Sequence, residues 1–108
     1  MLTARNARMI KYGRMFILNS AIGLAGRTEK ENDAIRQAEY GYLIDMKSVP
    51  SPLGVLLGDV TNENVRLLAS IVASYTKRPP PFTAVTANGE FSVDKMDPSD
   101  RDEYTVIL

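Results

Sequence analysis

Two short stretches of the sequence combine residue types that bind anions at the ends of helices. The first is Gly26-Arg27-Thr28, which follows an apolar run and precedes a helix start. Free backbone N–H groups at a helix N-terminus, together with a guanidinium and a hydroxyl, can hold a phosphate. The stretch lacks the GxGxxG and P-loop patterns. The alternative of a strand-to-helix turn with a solvated arginine therefore stays open.

The second stretch is Tyr75-Thr76-Lys77-Arg78, at the end of the longest predicted helix. Lys77 and Arg78 could bind a phosphate of a nucleic-acid backbone while Tyr75 stacks on a base. A structural role is equally open, because cations complement the negative C-terminal end of a helix. Tyr75 also belongs to the apolar stripe of that helix, which favours a place partly in the core.

Several kinds of chemistry find no support in the sequence. The chain of 108 residues has no cysteine and no histidine, which removes thiol nucleophiles, disulfides and the commonest general base. The acidic residues near the end do not follow the EF-hand spacing. We expect a solvated loop there and predict no metal, cofactor or catalytic residue; these acids are Asp94, Asp97, Asp100, Asp102 and Glu103.

The formal net charge is zero, but the first half of the chain is positive and the second half is negative. Residues 1–54 carry eight Lys/Arg and five Asp/Glu, whereas residues 55–108 carry five and eight. Such asymmetry can steer a polyanion towards one face, although solvated and mutually neutralising surface charge explains it too. No apolar run approaches the roughly 20 residues of a membrane span. We therefore predict a cytoplasmic protein without a membrane partner.

Hydrophobic periodicity and turn residues predict seven short strands and two main helices. The first helix begins after the cap Thr28, which forms a capping-box pattern with Glu31, and runs to about Glu39. The second follows Thr61 and spans about 62 to 77. The chain is predicted to be one α+β domain over 1–108, with a mixed, mostly antiparallel sheet of hairpins packed against these helices.

The predicted strands are bounded by turn residues. "RMFILNSAIGLAG" forms two strands around Asn19-Ser20, and "YLIDM" and "LGVLL" flank a proline connector. Asn88-Gly89 suits a type I′ hairpin turn. "DPSDRDE" is predicted to be a polar loop and "YTVIL" a last strand. Residues 1–11, with Arg5, Arg8 and Lys11 at intervals of three, form either a short helix or a frayed basic arm.

The stretch "NSAIGLAGRTEKENDAI" resembles the opening of the NFACT-R RNA-binding domain family. In that family a hairpin leads to a Gly-Arg step and then to a helix with an Asn preceded by an acid or amide, matched here by Gly26, Arg27, Glu31 and Asn32. "DMKSVPSPLGVLL" is similar to the family's strand, proline connector and buried strand. "NVRLLASIVASYTK" resembles its Ala-rich helix ending in Tyr-Ser-Lys. The resemblance covers residues 14 to 78, with a looser match beyond.

The resemblance implies a non-catalytic RNA-binding module, for tRNA or rRNA, linked to ribosome quality control or tRNA modification. Typical members carry an Asp, Trp/Phe, His cluster on the strand after the first helix. This chain has Leu43, Ile44 and Asp45 there, without the aromatic and the histidine. The predicted RNA-binding residues are Arg27, Lys77, Arg78, Asn32, Gly26, Thr28, Tyr75, Arg14, Lys11 and Arg8, with Asn32 supporting the turn at Arg27.

Two other functions remain open at this point. The chain could be a protein-interaction subunit, or a homodimer, that pairs through an exposed C-terminal strand and does not contact RNA. The turn at Gly26–Thr28 could instead hold a small molecule such as a nucleotide. If Arg27, Lys77 and Arg78 lie on one face, they can form a binding groove; if they do not, they are scattered surface charges.

Overall fold

The computed structural model describes residues 4–106, without the side chain of Arg5. Residues 107–108, the end of the predicted last strand, lie outside the described part. The helices are α1 (Ala4–Met9), α2 (Glu29–Gln37), α3 (Asn62–Ser74) and α4 (Pro98–Tyr104), with a 3-10 turn at Ile10–Tyr12 after α1. The strands are β1 (Arg14–Ile17), β2 (Ala21–Ala25), β3 (Tyr42–Met46), β4 (Gly54–Gly58), β5 (Phe82–Thr86), β6 (Gly89–Val93) and β7 (Thr105–Val106).

All seven strands join one sheet in the order β6-β5-β3-β4-β2-β1-β7. Each recorded pairing is antiparallel, so the predicted α+β class is confirmed and the sheet contains no parallel pair in the described part. Strands β4 and β2 lie in the middle, and β6 and β7 form the edges. The sheet therefore has β1 and β7 at one side and the β5–β6 hairpin at the other.

Alternating side chains divide the core into two layers on opposite faces of the sheet. On one face α3 packs against residues such as Ala21, Ala25 and Leu56. On the other face Ile35 of α2 and Met9 of α1 pack against the β2 and β4 residues of opposite parity, among them Ile22 and Leu24. The short N-terminal helix is thus a docked element and not a frayed arm, since Met9 is buried and Asn6 accepts a 2.7 Å hydrogen bond from the Tyr40 hydroxyl.

Helix α3 lies close to the sheet because two strand glycines make room for it. A Cβ at Gly23 would stand 2.8 Å from Leu68 Cδ1, and one at Gly54 would stand 2.8 Å from Val72 Cγ2. The predicted cap is confirmed, as Thr61 Oγ1 accepts a hydrogen bond from the Asn64 amide. The helix ends at Ser74, not at 77, so Lys77 and Arg78 lie in the following loop.

Helix α2 also ends earlier than predicted, at Gln37 instead of Glu39. Glu39 takes a φ of 50° and Gly41 a φ of 92°, so the chain leaves the helix through left-handed backbone two residues before the predicted glycine stop. The cap at the start is as predicted: Thr28 Oγ1 accepts from the Glu31 amide at 3.1 Å.

Three predictions for the C-terminal third were wrong. "DPSDRDE" is not a loop, because Asp97 and Pro98 stand at the cap and first-turn positions where proline starts a helix, giving α4. Tyr104 belongs to that helix, which shortens the last strand to β7. The β5–β6 turn uses Ala87 and Asn88, with Thr86 opposite Gly89. Neither turn residue has a positive φ, so the turn is not type I′.

The β2–α2 turn is tied to the proline connector through one side chain. Asn32 Oδ1 accepts a 2.9 Å hydrogen bond from the amide of buried Leu53, and the Gly26 amide donates to the Leu53 carbonyl at 3.1 Å. A Cβ at Gly26 would stand 2.1 Å from Asn32 Oδ1, so glycine is required for this close approach. Position 26 and position 32 are therefore sterically coupled.

We expect Asn32→Ala and Gly26→Ala each to lower the free energy of unfolding by about 1–3 kcal/mol. The first removes the acceptor of the Leu53 amide and the second displaces it, so either leaves a buried N–H unsatisfied. Because alanine at 32 vacates the space that a Cβ at 26 needs, the double variant should lose less than the two single losses combined. Urea unfolding of the four proteins measures this, and strict additivity would contradict the coupling.

Candidate nucleic-acid interface

An open groove of about 720 Å³ lies where the β2–α2 turn, the proline connector and the exit of α3 meet. The start of β1 and the first turn of α2 complete its walls. The residues lining it are Arg14, Gly26, Arg27, Thr28, Glu29, Asn32, Pro50, Ser51, Pro52, Tyr75, Lys77 and Arg78. Segments far apart in the chain thus bring most of the predicted RNA-binding residues to one place.

Arg8 and Lys11 do not line this groove. The Lys11 ammonium lies 5.2 Å from the centroid of the Tyr12 ring, and Tyr12 lines a separate depression on the outer side of α2. Arg27 borders both hollows. Among the described side chains, Arg8 and Lys11 thus lie outside the groove, whereas Arg14 lines it.

Arg27, which precedes α2, is held by a carboxylate of that helix. Its Nε and Nη2 donate to the two oxygens of Glu31 at 3.0 and 2.7 Å, and its backbone amide donates to Glu31 Oε1 at 2.8 Å. The capping-box carboxylate thus reaches back to Arg27, one residue before the expected Thr28. The hydrogen bond and charge of Glu31 raise the pKa of Arg27, and the Arg27 hydrogen bond lowers the pKa of Glu31. Nη1 keeps its donors for a ligand.

The other polar residues on this side of the groove shape it. The Thr28 hydroxyl accepts from the Glu31 amide, and Asn32 accepts from the Leu53 amide. Glu29 lines the groove as well, at the helix N-terminus. The two glutamates of the first turn offset the positive end of the helix, so the turn at α2 contributes little net positive charge.

The cations on the opposite side make no such ion pair among the described residues, although the charge of Arg14 contributes to the lowered pKa of Glu31. The ion pairs among residues 4–106 join Arg27 with Glu31, Arg36 with Asp45, and Lys47 with Glu90. Lys77 and Arg78 are exposed and take part in none of them, and neither does Arg14. The net positive charge of the groove therefore comes from the start of β1 and the exit of α3.

The Tyr75 ring is covered by protein groups. The guanidinium carbons of Arg14 and Arg101 lie 4.7 and 4.2 Å from its centroid, and the Phe16 ring lies 6.4 Å away in a tilted arrangement. Tyr75 thus works as a cation–π anchor at the end of α3. Arg101 was not among the residues predicted from the sequence. It could have been noticed as the one cation in "DPSDRDE", a segment whose acids suggested only a loop.

Leu43, Ile44 and Asp45 stand where the aromatic residue and the histidine were expected from the resemblance, and Ile44 and Asp45 stabilise the fold there. Ile44 is fully buried under α3, and Asp45 accepts from the Met46 amide at 2.9 Å. The Arg36 guanidinium lies 3.7 Å from the other Asp45 oxygen. Asp45 thus serves the strand and α2; it also accepts a 3.4 Å hydrogen bond from the hydroxyl of the groove residue Ser51, but does not itself line the groove.

We expect the Arg27–Glu31 pair to make stability depend on pH. The pKa of Glu31 lies below its usual 4.5, so its stabilising effect is complete above that pH and is lost as pH falls through the lowered pKa. The loss of stability caused by Glu31→Gln should therefore be larger at about pH 7 than at about pH 3. Urea unfolding at both values, with Glu29→Gln to correct for removal of one first-turn carboxylate, measures it; an offset that does not change with pH would contradict the pairing.

No helix in the described range 4–106 is long and apolar enough to cross a bilayer, and among the same residues no three His, Cys, Asp or Glu side chains gather as a metal site requires. Neither the curated proteins nor the solved structures contain a match to the chain. A protein-family model described as the NFACT protein RNA binding domain matches residues 13–104, nearly the whole sequence. The match includes α4 and all lining residues of the groove, and the chain belongs to the NFACT RNA-binding domain family.

Proposed function

We propose that this chain is a non-catalytic RNA-binding module whose groove holds the sugar-phosphate backbone of tRNA or rRNA. The observation that carries the proposal is the convergence of Arg14, Lys77 and Arg78 on one groove, where none of the three belongs to an ion pair of the described residues. In a chain of zero net charge such a local excess of cations is a specific feature.

The two sides of the groove have different roles in this proposal. Arg14, Lys77 and Arg78 supply the net charge that attracts phosphate. Arg27 is oriented by Glu31 and adds directed Nη1 donors at the rim. Among the described residues, Tyr75 is the only aromatic residue lining the groove, and its ring already contacts two guanidinium groups. Binding through phosphates without a free stacking platform reads little base sequence.

The family suggests the cellular setting. We place the module, as one domain over 1–108, in the cytoplasm, in ribosome quality control or in tRNA modification, where it would hold RNA for a partner that performs the chemistry. We infer that the module performs no catalysis itself, since the sequence has neither histidine nor cysteine to activate a hydroxyl, the Thr28 hydroxyl serves the helix cap and the Ser51 hydroxyl donates to the Pro52 carbonyl.

We expect the double variant Lys77→Glu/Arg78→Glu to weaken binding of a fluorescein-labelled tRNA by about tenfold or more. It should also lower the slope of log affinity against log salt by about 1.5, because two phosphate contacts are lost. Fluorescence anisotropy between about 50 and 300 mM KCl measures both quantities.

Arg66→Glu is the matched control. Arg66 is an exposed arginine of α3 without an ion pair, and its guanidinium lies over the Phe91 ring at 5.0 Å, away from the groove. It should change affinity much less than the double variant. Wild-type affinity that ignores ionic strength, no binding of tRNA or rRNA at low salt, or equal effects of the two variants would contradict the proposal.

A second candidate function is protein interaction through β7. This strand stands at the edge of the sheet and pairs only with β1 in the described residues, so its outer side can accept another strand. The candidate predicts a dimer or a stable complex with a protein partner. Size-exclusion chromatography with light scattering and pull-down from a lysate test it, and a monomer that captures no protein would contradict it.

A further inference from the structure

We propose that the RNA-binding surface continues past the groove onto α4, where Arg101 contacts a second phosphate. This inference rests on the proposed function and adds to it one residue, Arg101, and the direction in which the RNA leaves the groove. The RNA backbone would run from the Arg27 rim across Lys77 and Arg78, past Arg14 and Tyr75, and leave over the first turns of α4.

Arg101 makes no ion pair among the described residues, although its helix is acidic and the N-cap Asp97 lies four residues before it. Asp100 and Asp102 are its immediate neighbours, and residues one position apart on a helix do not face each other. No ion pair of residues 4–106 includes Arg101. Among the described residues its side chain makes one hydrogen bond, from Nη1 to Ser74 Oγ at 3.1 Å. Most of its five N–H donors are therefore left for a ligand.

The exit of α3 collects more cations than capping of that helix explains. Lys95 does act as a cap, since its Nζ donates to the Thr76 carbonyl at 3.0 Å. Arg101 instead donates to a hydroxyl and lies over the Tyr75 ring at 4.2 Å, beside which Arg14 lies at 4.7 Å. Two guanidinium groups on one ring repel each other, and a bound anion would relieve that repulsion.

The contact with Tyr75 links Arg101 to the groove. Tyr75 and Arg14 line the groove, while Arg101 reaches the same ring from outside it. Because both guanidinium groups lie at the Tyr75 ring, an RNA backbone bound at Arg14 would pass close to Arg101. Because the groove lacks a free aromatic, this continuation is made of phosphate contacts, which position the RNA and do not select its bases.

Anisotropy titrations of labelled tRNA in a series of KCl concentrations test the inference. We expect Arg101→Ala to weaken binding roughly three- to tenfold and to lower the salt slope by about 0.7–0.9, the value of one phosphate contact. Arg101→Lys, which keeps the charge, should restore most of the slope. Arg66→Ala is the control, since it removes an arginine of the same cation–π type away from the groove.

A measurement on the unchanged chain covers the case in which removal of Arg101 unfolds α4. Arginine modification by phenylglyoxal, read by mass spectrometry, should become slower at Arg101 when tRNA is added and stay unchanged at Arg66. An unaltered slope in Arg101→Ala, or modification of Arg101 that tRNA does not slow, would overturn the inference. If Lys77→Glu/Arg78→Glu still weakens binding in that case, the proposed function stands; if wild-type protein does not bind RNA, both fall.

Discussion

The close seating of α3 on the sheet is the constraint from which the geometry of the groove follows. Leu68 and Val72 occupy the space that side chains at Gly23 and Gly54 would need. This close approach holds the C-terminal end of α3 near the sheet, and so places Tyr75 against Phe16 and Arg14 of β1. Larger residues at the two strand positions would push the helix outward and move its exit away from the β2–α2 turn.

The two sides of the groove differ in charge: the α2 side is largely neutralised by glutamates, and the α3 side is positive. On the α2 side, Glu31 binds Arg27 through both oxygens, and Glu29 adds a further negative charge. On the α3 side, Lys77 and Arg78 have no carboxylate partner among the described residues. A polyanion would therefore be attracted mainly to the exit of α3, while the α2 turn, stiffened by Asn32, supplies shape and directed donors.

Much of the fold could be predicted because local signals agree with the tertiary result. The threonine caps at 28 and 61, the buried run of β4 and the apolar stripe of α3 depend on neighbours in the sequence, and they occur as predicted. Errors fall where local signals compete. The acids after Asp97 suggested a solvated loop, but Pro98 at the first turn and packing against Ser74 and Tyr75 give a helix.

For the candidate site, the sequence by itself determined the residue types at each end of the two helices and the family to which they belong. Only the tertiary structure decided which of these cations meet and which are neutralised. Arg14 and Lys77 share a groove whereas Arg8 and Lys11 do not, and Arg101 joins them at Tyr75 from the far end of the chain. The physical reason is that caps and turns arise from contacts within a few residues, whereas convergence of charge depends on strand order and helix seating, which involve the whole chain.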